Sequence, residues 1–323
     1  MREKNIDVDH KSILLFSKIS KKDINTCGGK GASLGELTGA GISVPSGFVV
    51  SAVVFRKFLE DNDINVKIDA VLRKVNHKDT ASVEEASEII KQLILSVPIE
   101  KVLAKDIIDN FKKLKTPYVA VRSSATAEDS KIDSWAGELE SYLNTTEKTI
   151  LENVKKCWAS LFTPRAIFYR LERGLGGKEV LVAVVVQKMA QSEVSGICFT
   201  VHPVTKDRNQ MIIEAGWGLG EAIVGGLITP DSYIIDKKNL KIIDVNISEQ
   251  KRFIVRNGAK GATIEKSVPQ KICDKQKLNS KQIIELAKIC AKIEKHYKKP
   301  QDIEWALEKN KFYIVQSRPI TTL

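Results

Sequence analysis

The sequence predicts an α+β fold, helix-rich in its first half and strand-rich in its second. Residues 64–115 and 280–297 space their apolar side chains three and four apart among many charges, which is the helical period. Val180–Val186 is a valine-rich apolar run of strand length. Beyond it, short apolar segments are separated by turn residues.

The elements follow in order. Ser12–Phe16 reads as a strand leading to a glycine-rich loop, Gly28–Gly31, and a helical run to Ala40 that Gly41 ends. Pro45-Ser46-Gly47 is a turn before strand Phe48–Val50 and helix Ala52–Leu59. Helices fill 64–115, punctuated by Pro98 and Pro117. Tyr118–Val121 reads as a short buried strand opening into a polar loop, with helices over 147–160 and 164–173. Short strands are expected near 195–200, 210–215, 232–236, 241–245 and 251–255. Ser280–Tyr297 is a helix whose stripe is Ile283, Leu286, Cys290, Ile293 and Tyr297. Strands 302–307 and 312–317 close the chain around the turn Glu308–Lys311. A break is expected near Met189–Ser192, dividing the chain into units 1–190 and 191–323.

Of the 323 residues, 43% are hydrophobic and 28% charged, an ordinary globular balance. No apolar stretch approaches the ~20 residues of a membrane helix. Met1–Lys11 is polar and charged, so no secretion signal is expected. The five cysteines are scattered without metal-ligand spacing, which predicts a reducing cytoplasmic setting and packing roles. Cys27 stands apart because it adjoins the glycines. The formal charge of +11 attracts anions, but the lysines are dispersed and the 6% aromatics do not alternate with them. A nucleic-acid surface is therefore not expected.

Five constellations invite chemistry. Gly28-Gly29-Lys30-Gly31-Ala32-Ser33 suits a phosphate, with close backbone approach and a mobile cation, yet lacks the Walker spacing; it equally suits a plain turn before a helix. Arg122, ending a strand before Ser123 and Ser124, can fork onto phosphate oxygens. The two serines lack any nucleophile pattern and read as capping hydroxyls. Ser134–Ser141 is either a loop able to fold over a polyphosphate or an ordinary turn. In Glu214–Glu221, glutamate stands where a dinucleotide fingerprint needs its third glycine. The four histidines form no cluster and suit surface or packing roles.

The closing hairpin gives the sharpest argument. Alternation puts Asp302, Glu304 and Ala306 on one face and Ile303, Trp305 and Leu307 on the other. In the partner strand Ile314, Gln316 and Arg318 share a face opposite Tyr313, Val315 and Ser317. Asp302 and Glu304 can thus converge with Gln316 and Arg318. Hard oxygens there suit Mg²⁺ and the arginine suits phosphate; a solvent-facing ion pair is the alternative.

The stretches GGKGASLGEL, GISVPSGFVV, VRSSATAEDS, SWAGELESYLN, SLFTPRAIFYR, WGLGEAIVGG, IEKHYKKPQDIEWA and FYIVQSRP stand in this order from about residue 12 to the C-terminus. Together they resemble the N-terminal ATP-binding part of the phosphoenolpyruvate synthase and pyruvate phosphate dikinase family, which also holds rifampicin phosphotransferase and phenylphosphate synthase. The resemblance implies an ATP-grasp-type fold with ATP between two subdomains. It implies that Lys30 and Arg122 contact phosphates, with Gly137 and Ser141 in the covering loop. Gln187, Lys188 and Met189 would lie beside the adenine. Glu304 and Gln316 match the family's Mg²⁺ ligands, Arg318 a second phosphate arginine, and Asp302 its acidic companion.

The resemblance also implies the reaction. ATP gives its β- and γ-phosphates to a histidine on a swivelling domain, and AMP leaves. The γ-phosphate passes to water or inorganic phosphate, and the remaining phosphoryl group to pyruvate, an antibiotic or a phenol. The glycine pair and histidine of the phosphohistidine segment, and the acceptor barrel, do not occur in this sequence. A partner domain or subunit is therefore expected to supply them. A non-catalytic ATP-sensing module and an ATP-grasp ligase forming ADP are the alternatives.

Overall fold

In a computed structural model of the chain, residues 12–126, 140–172, 180–258 and 262–321 are described. Helices and sheets are mixed, as the α+β reading expects. One sheet holds β1 (Ile13–Leu15), β2 (Gly47–Val50), β3 (Val119–Ala125), β4 (Ser141–Thr145) and β5 (Val182–Lys188). Its order is β1-β2-β5-β3-β4, antiparallel throughout. β5 is central, and Val182 through Val186 are all fully buried. That burial on both faces explains its unbroken apolar run.

Around this sheet lie α1 (Ile24–Gly39), α2 (Ala52–Asp61), α3 (Ile64–Leu72), α4 (Thr80–Ser96), α5 (Lys101–Lys113), α6 (Ile150–Ala159) and α7 (Pro164–Glu172). Trp158 of α6 anchors the core, its ring 5.5 Å from Phe55 and 4.9 Å from Phe58.

The second sheet holds β6 (Val194–Phe199), β7 (Gln210–Trp217), β8 (Asp231–Asp236) and β9 (Lys241–Asn246). The short helix α8 (Glu221–Val224) follows β7, and β10 (Arg252–Arg256) pairs with β11 (Thr263–Ser267) as a separate ribbon. Then come α9 (Ser280–Tyr297), β12 (Gln301–Glu308) and β13 (Lys311–Pro319). The sheet order is β13-β12-β6-β7-β8-β9, again antiparallel. α9 starts at a capping box in which Asn279 and Gln282 exchange hydrogen bonds. Its stripe Ile283, Leu286, Cys290 and Ile293 is fully buried in the second core. Leu37, near the end of α1, and Ile42 join that core, whereas Cys27 and Leu34 belong to the first. Among the described residues no helix is long and apolar enough to cross a membrane.

Several expectations change. The glycine-rich segment is not a loop: α1 runs through it, interrupted only at Gly28 (φ 66°, ψ 172°). The helix stops as expected at Gly41 (φ 69°), where Ile42 N–H donates to Leu37 C=O and Gly41 N–H to Thr38 C=O. β3 continues through the serines to Ala125, because Ser123, Ser124 and Ala125 pair with Val184, Ala183 and Val182 of β5. β4 and β11 have no counterpart among the expected strands. In the hairpin the register shifts between Glu304 and Trp305, so that Glu304 faces Gln316 while Trp305 faces Ile314. This bulge reverses the alternation beyond it. Ile314, expected on the polar face, is buried in the core, and Val315 lines a cleft instead.

Candidate nucleotide site

A cleft of about 280 Å³ lies between the two sheets. Arg122 on β3, Ser141 on β4 and Gln187 on β5 line one wall. Glu304 on β12, Val315 on β13 and Glu221 of α8 line the other.

Arg122 crosses from the first wall to the second. β3 places it opposite Val185 on one side and Ser141 on the other. Arg122 is only 9% exposed, and both of its terminal nitrogens donate to the hairpin. Nη1 donates to Val315 C=O at 2.8 Å, and Nη2 to Gln316 Oε1 at 2.6 Å and Glu304 Oε2 at 3.2 Å. Two hard oxygens therefore converge on one cationic atom. That donor set fits a small divalent cation whose remaining ligands come from phosphate or water.

The adjacent row of the hairpin pairs Asp302 with Arg318. Arg318 Nε and Nη2 lie 2.9 and 2.8 Å from the same Asp302 Oδ2. The Arg318 side chain remains half exposed, at 50%. Burial pushes the Asp302 carboxyl above its ordinary range, the Arg318 guanidinium pulls it back, and Glu304 adds to the upward push.

Two further carboxylates were not assigned from sequence. Glu214 shares a row with Glu304 across Ile197, and burial, then the Asp302 charge, raises its carboxyl. Glu221 lines the cleft, raised by burial against a hydrogen bond from Thr263. A carboxylate two strands from the hairpin has no signature along the chain; only the sheet order brings it close.

The remaining expected residues are placed as follows. Gln187, Lys188 and Met189, at the end of β5, line the cleft. Gln187 Nε2 is buried without a hydrogen-bond partner among the described residues, so this wall holds an unspent donor. Ser141 lies directly across the strand pair from Arg122. Lys30 sits half-buried on α1, just beyond the Gly28 break, and is not among the residues lining the cleft. Gly137 lies outside the described residues.

The Cys27 thiol is buried and pushed up to about 12, first by burial and then by Asp23, so it packs rather than reacts. His202 Nδ1 accepts from the N–H groups of Val204 and Thr205, and His296 Nε2 lies 2.8 Å from Glu36 Oε1. At Gly218 (φ 89°) an added Cβ would lie 2.6 Å from Ile254 O, so this glycine serves close packing of the β10 ribbon.

A guanidinium from one wall of the cleft thus meets a carboxylate of the other wall and the hairpin carboxamide beside it. The chain belongs to the family of the pyruvate phosphate dikinase AMP/ATP-binding domain, whose model matches residues 24–323. A probable phosphoenolpyruvate synthase of Archaeoglobus fulgidus is 46% identical over 317 residues, covering 96% of this chain and 42% of that protein. Another, of Methanocaldococcus jannaschii, is 44% identical over 320 residues, covering 97% and 27%. The phosphoenolpyruvate synthase of Pyrococcus furiosus is 40% identical over 360 residues, covering 97% and 44%. The chain thus spans less than half the length of these relatives.

Proposed function

We propose that this chain binds Mg-ATP in the cleft and passes its phosphates to a histidine outside the chain, releasing AMP. The convergence of Arg122, Glu304 and Gln316 carries this reading. The organisation is ATP-grasp-like, with subdomains over about 1–190 and 191–323. Arg122, Arg318 and Lys30 hold phosphate oxygens, and Ser141 at the start of β4 lies beside them in the cleft. Asp302 orients Arg318 through its two contacts to one oxygen. Gln187, Lys188 and Met189 flank the adenine, and the unpaired Gln187 Nε2 supplies a donor toward it. Glu304 and Gln316 would hold Mg²⁺, which supplies charge neutralisation at the phosphate oxygens. The names of the relatives favour pyruvate as the final acceptor.

The test supplies the chain with Mg-ATP and the phosphohistidine-bearing remainder of a relative. AMP formed only when both polypeptides are present, and lost with Glu304→Ala, supports the proposal. ADP in place of AMP would favour a ligase. Thermal stabilisation by Mg-ATP with no product formed would favour a sensing module.

A further inference from the structure

α1 is broken at one place, and the break is filled from another part of the chain. In an uninterrupted helix the Gly31 N–H would donate to the Cys27 C=O, four residues earlier. Here the Ser124 hydroxyl stands between them. Its Oγ accepts from Gly31 N–H at 3.2 Å and donates to Cys27 C=O at 2.9 Å. The hydroxyl is fully buried, and both of its bonds go to this turn. β3 presses close: a Cβ on Gly28 would lie 2.2 Å from both the carbonyl and the hydroxyl oxygen of Ser124. Gly28 takes a positive φ there, which a glycine adopts without strain.

Lys30 lies inside the interrupted turn, between Cys27 and Gly31. Ser124 lies two residues beyond Arg122 on β3, so the two side chains share a face of the sheet. α1 packs on that same face, since a Cβ at Gly31 would touch Val49 and Val185, and Val185 pairs with Arg122. One strand therefore carries Arg122 and also wedges open the turn that presents Lys30.

We infer that Ser124 is a positioning residue: its hydroxyl holds the kinked turn of α1 so that Lys30 is fixed relative to Arg122. This rests on the phosphate role of Lys30 proposed above. Ser124→Ala removes one oxygen and leaves Cys27 C=O and Gly31 N–H to re-form a helical bond or to fray. Either outcome moves Lys30.

The experiment measures Mg-ATP affinity of the chain by calorimetry for wild type, Ser124→Ala, Lys30→Ala and the double variant, with hydrogen exchange of residues 27–32 in the free chain. Ser124→Ala is expected to weaken binding about tenfold, the scale of a lost hydrogen-bond pair. It should weaken Lys30→Ala no further, and amide exchange should change within 27–32 while the rest of α1 keeps its protection. Equal losses from Ser124→Ala in both backgrounds, or unchanged exchange at 27–32, would overturn the inference. Wild-type affinity in Lys30→Ala, with exchange at 27–32 changed in Ser124→Ala, would instead remove the phosphate role of Lys30 and leave the wedge standing.

Discussion

The Arg122 clasp sets a measurable coupling between the two sheets. Arg122→Ala strips three hydrogen bonds at once, to Val315 O, Gln316 Oε1 and Glu304 Oε2. The ion pair is mostly buried, with side-chain exposures of 11% for Arg122 and 23% for Glu304. An exposed pair contributes ~0–1 kcal/mol. Breaking a fully buried one costs ~3–5 kcal/mol, much of it from the stranded partner. Glu304 keeps some access to water, so Arg122→Ala should destabilise the free chain by about 3 kcal/mol. Glu304→Ala leaves the guanidinium its two neutral acceptors and should cost about 1–2 kcal/mol, on the scale of one hydrogen bond to a charged group. A double-mutant cycle by urea denaturation should return a coupling of about 1.5 kcal/mol. A coupling within ~0.3 kcal/mol of zero would refute the reasoning, because a guanidinium held at these distances cannot be indifferent to the carboxylate.

Three other outcomes are expected. All five cysteines are buried and free, and the Cys27 and Cys157 thiols are held near 12, so Ellman's reagent at pH 8 should label none rapidly until denaturant is added; prompt labelling of the native chain would contradict this packing. Glu36 accepts from Lys21 N–H and faces His296, which lower its carboxyl from the ordinary 4.5. Its contribution is therefore present above 4.5 and lost as pH falls through the lower folded value, and the stability gap between wild type and Glu36→Gln should close over that window. Lys277 and Asp231 form a fully buried pair at 2.8 Å, and Asp231 also accepts from Tyr233 OH and Ser248 N–H. Lys277→Met should cost about 3 kcal/mol in urea denaturation, and a loss below about 1 kcal/mol would show the carboxylate to be satisfied without the lysine.

Much of this architecture is visible in the sequence where one short-range rule suffices. The stripe of α9 and the valine run of β5 follow from periodicity and burial alone. Asp302 and Glu304 meet Arg318 and Gln316 because strand alternation and a tight turn set the register. One residue further on the register shifts. A bulge costs no unusual residue type, so Ile314 and Val315 exchanged faces without a signal. The glycine-rich segment misled for another reason. Only Gly28 leaves the helical conformation, and the partner that makes this tolerable is the Ser124 hydroxyl, which takes the Gly31 N–H from 93 residues along the chain. Ser123–Ala125 looked like a polar loop because three small residues carry no β-propensity. They are strand because β5 offers them paired backbone, a tertiary effect overriding a local one.

The same two oxygens that recommend the hairpin as a cation site are the ones that hold Arg122. This is no contradiction, because a guanidinium nitrogen and a divalent cation make the same demand on a carboxylate and a carboxamide: converging lone pairs from rigid supports. Gln316 is buried and Glu304 half-buried, each on a strand paired on both sides or locked to its hairpin partner, so their oxygens cannot relax far apart when the positive charge changes identity. Arg122, by contrast, reaches them through a long side chain with several rotatable bonds. On the function proposed above, Arg122 would turn onto a phosphate more readily than the paired strands would shift, leaving the Glu304 and Gln316 oxygens to hold the cation. The rigid half of the site is thus the hairpin and the adjustable half is the arginine.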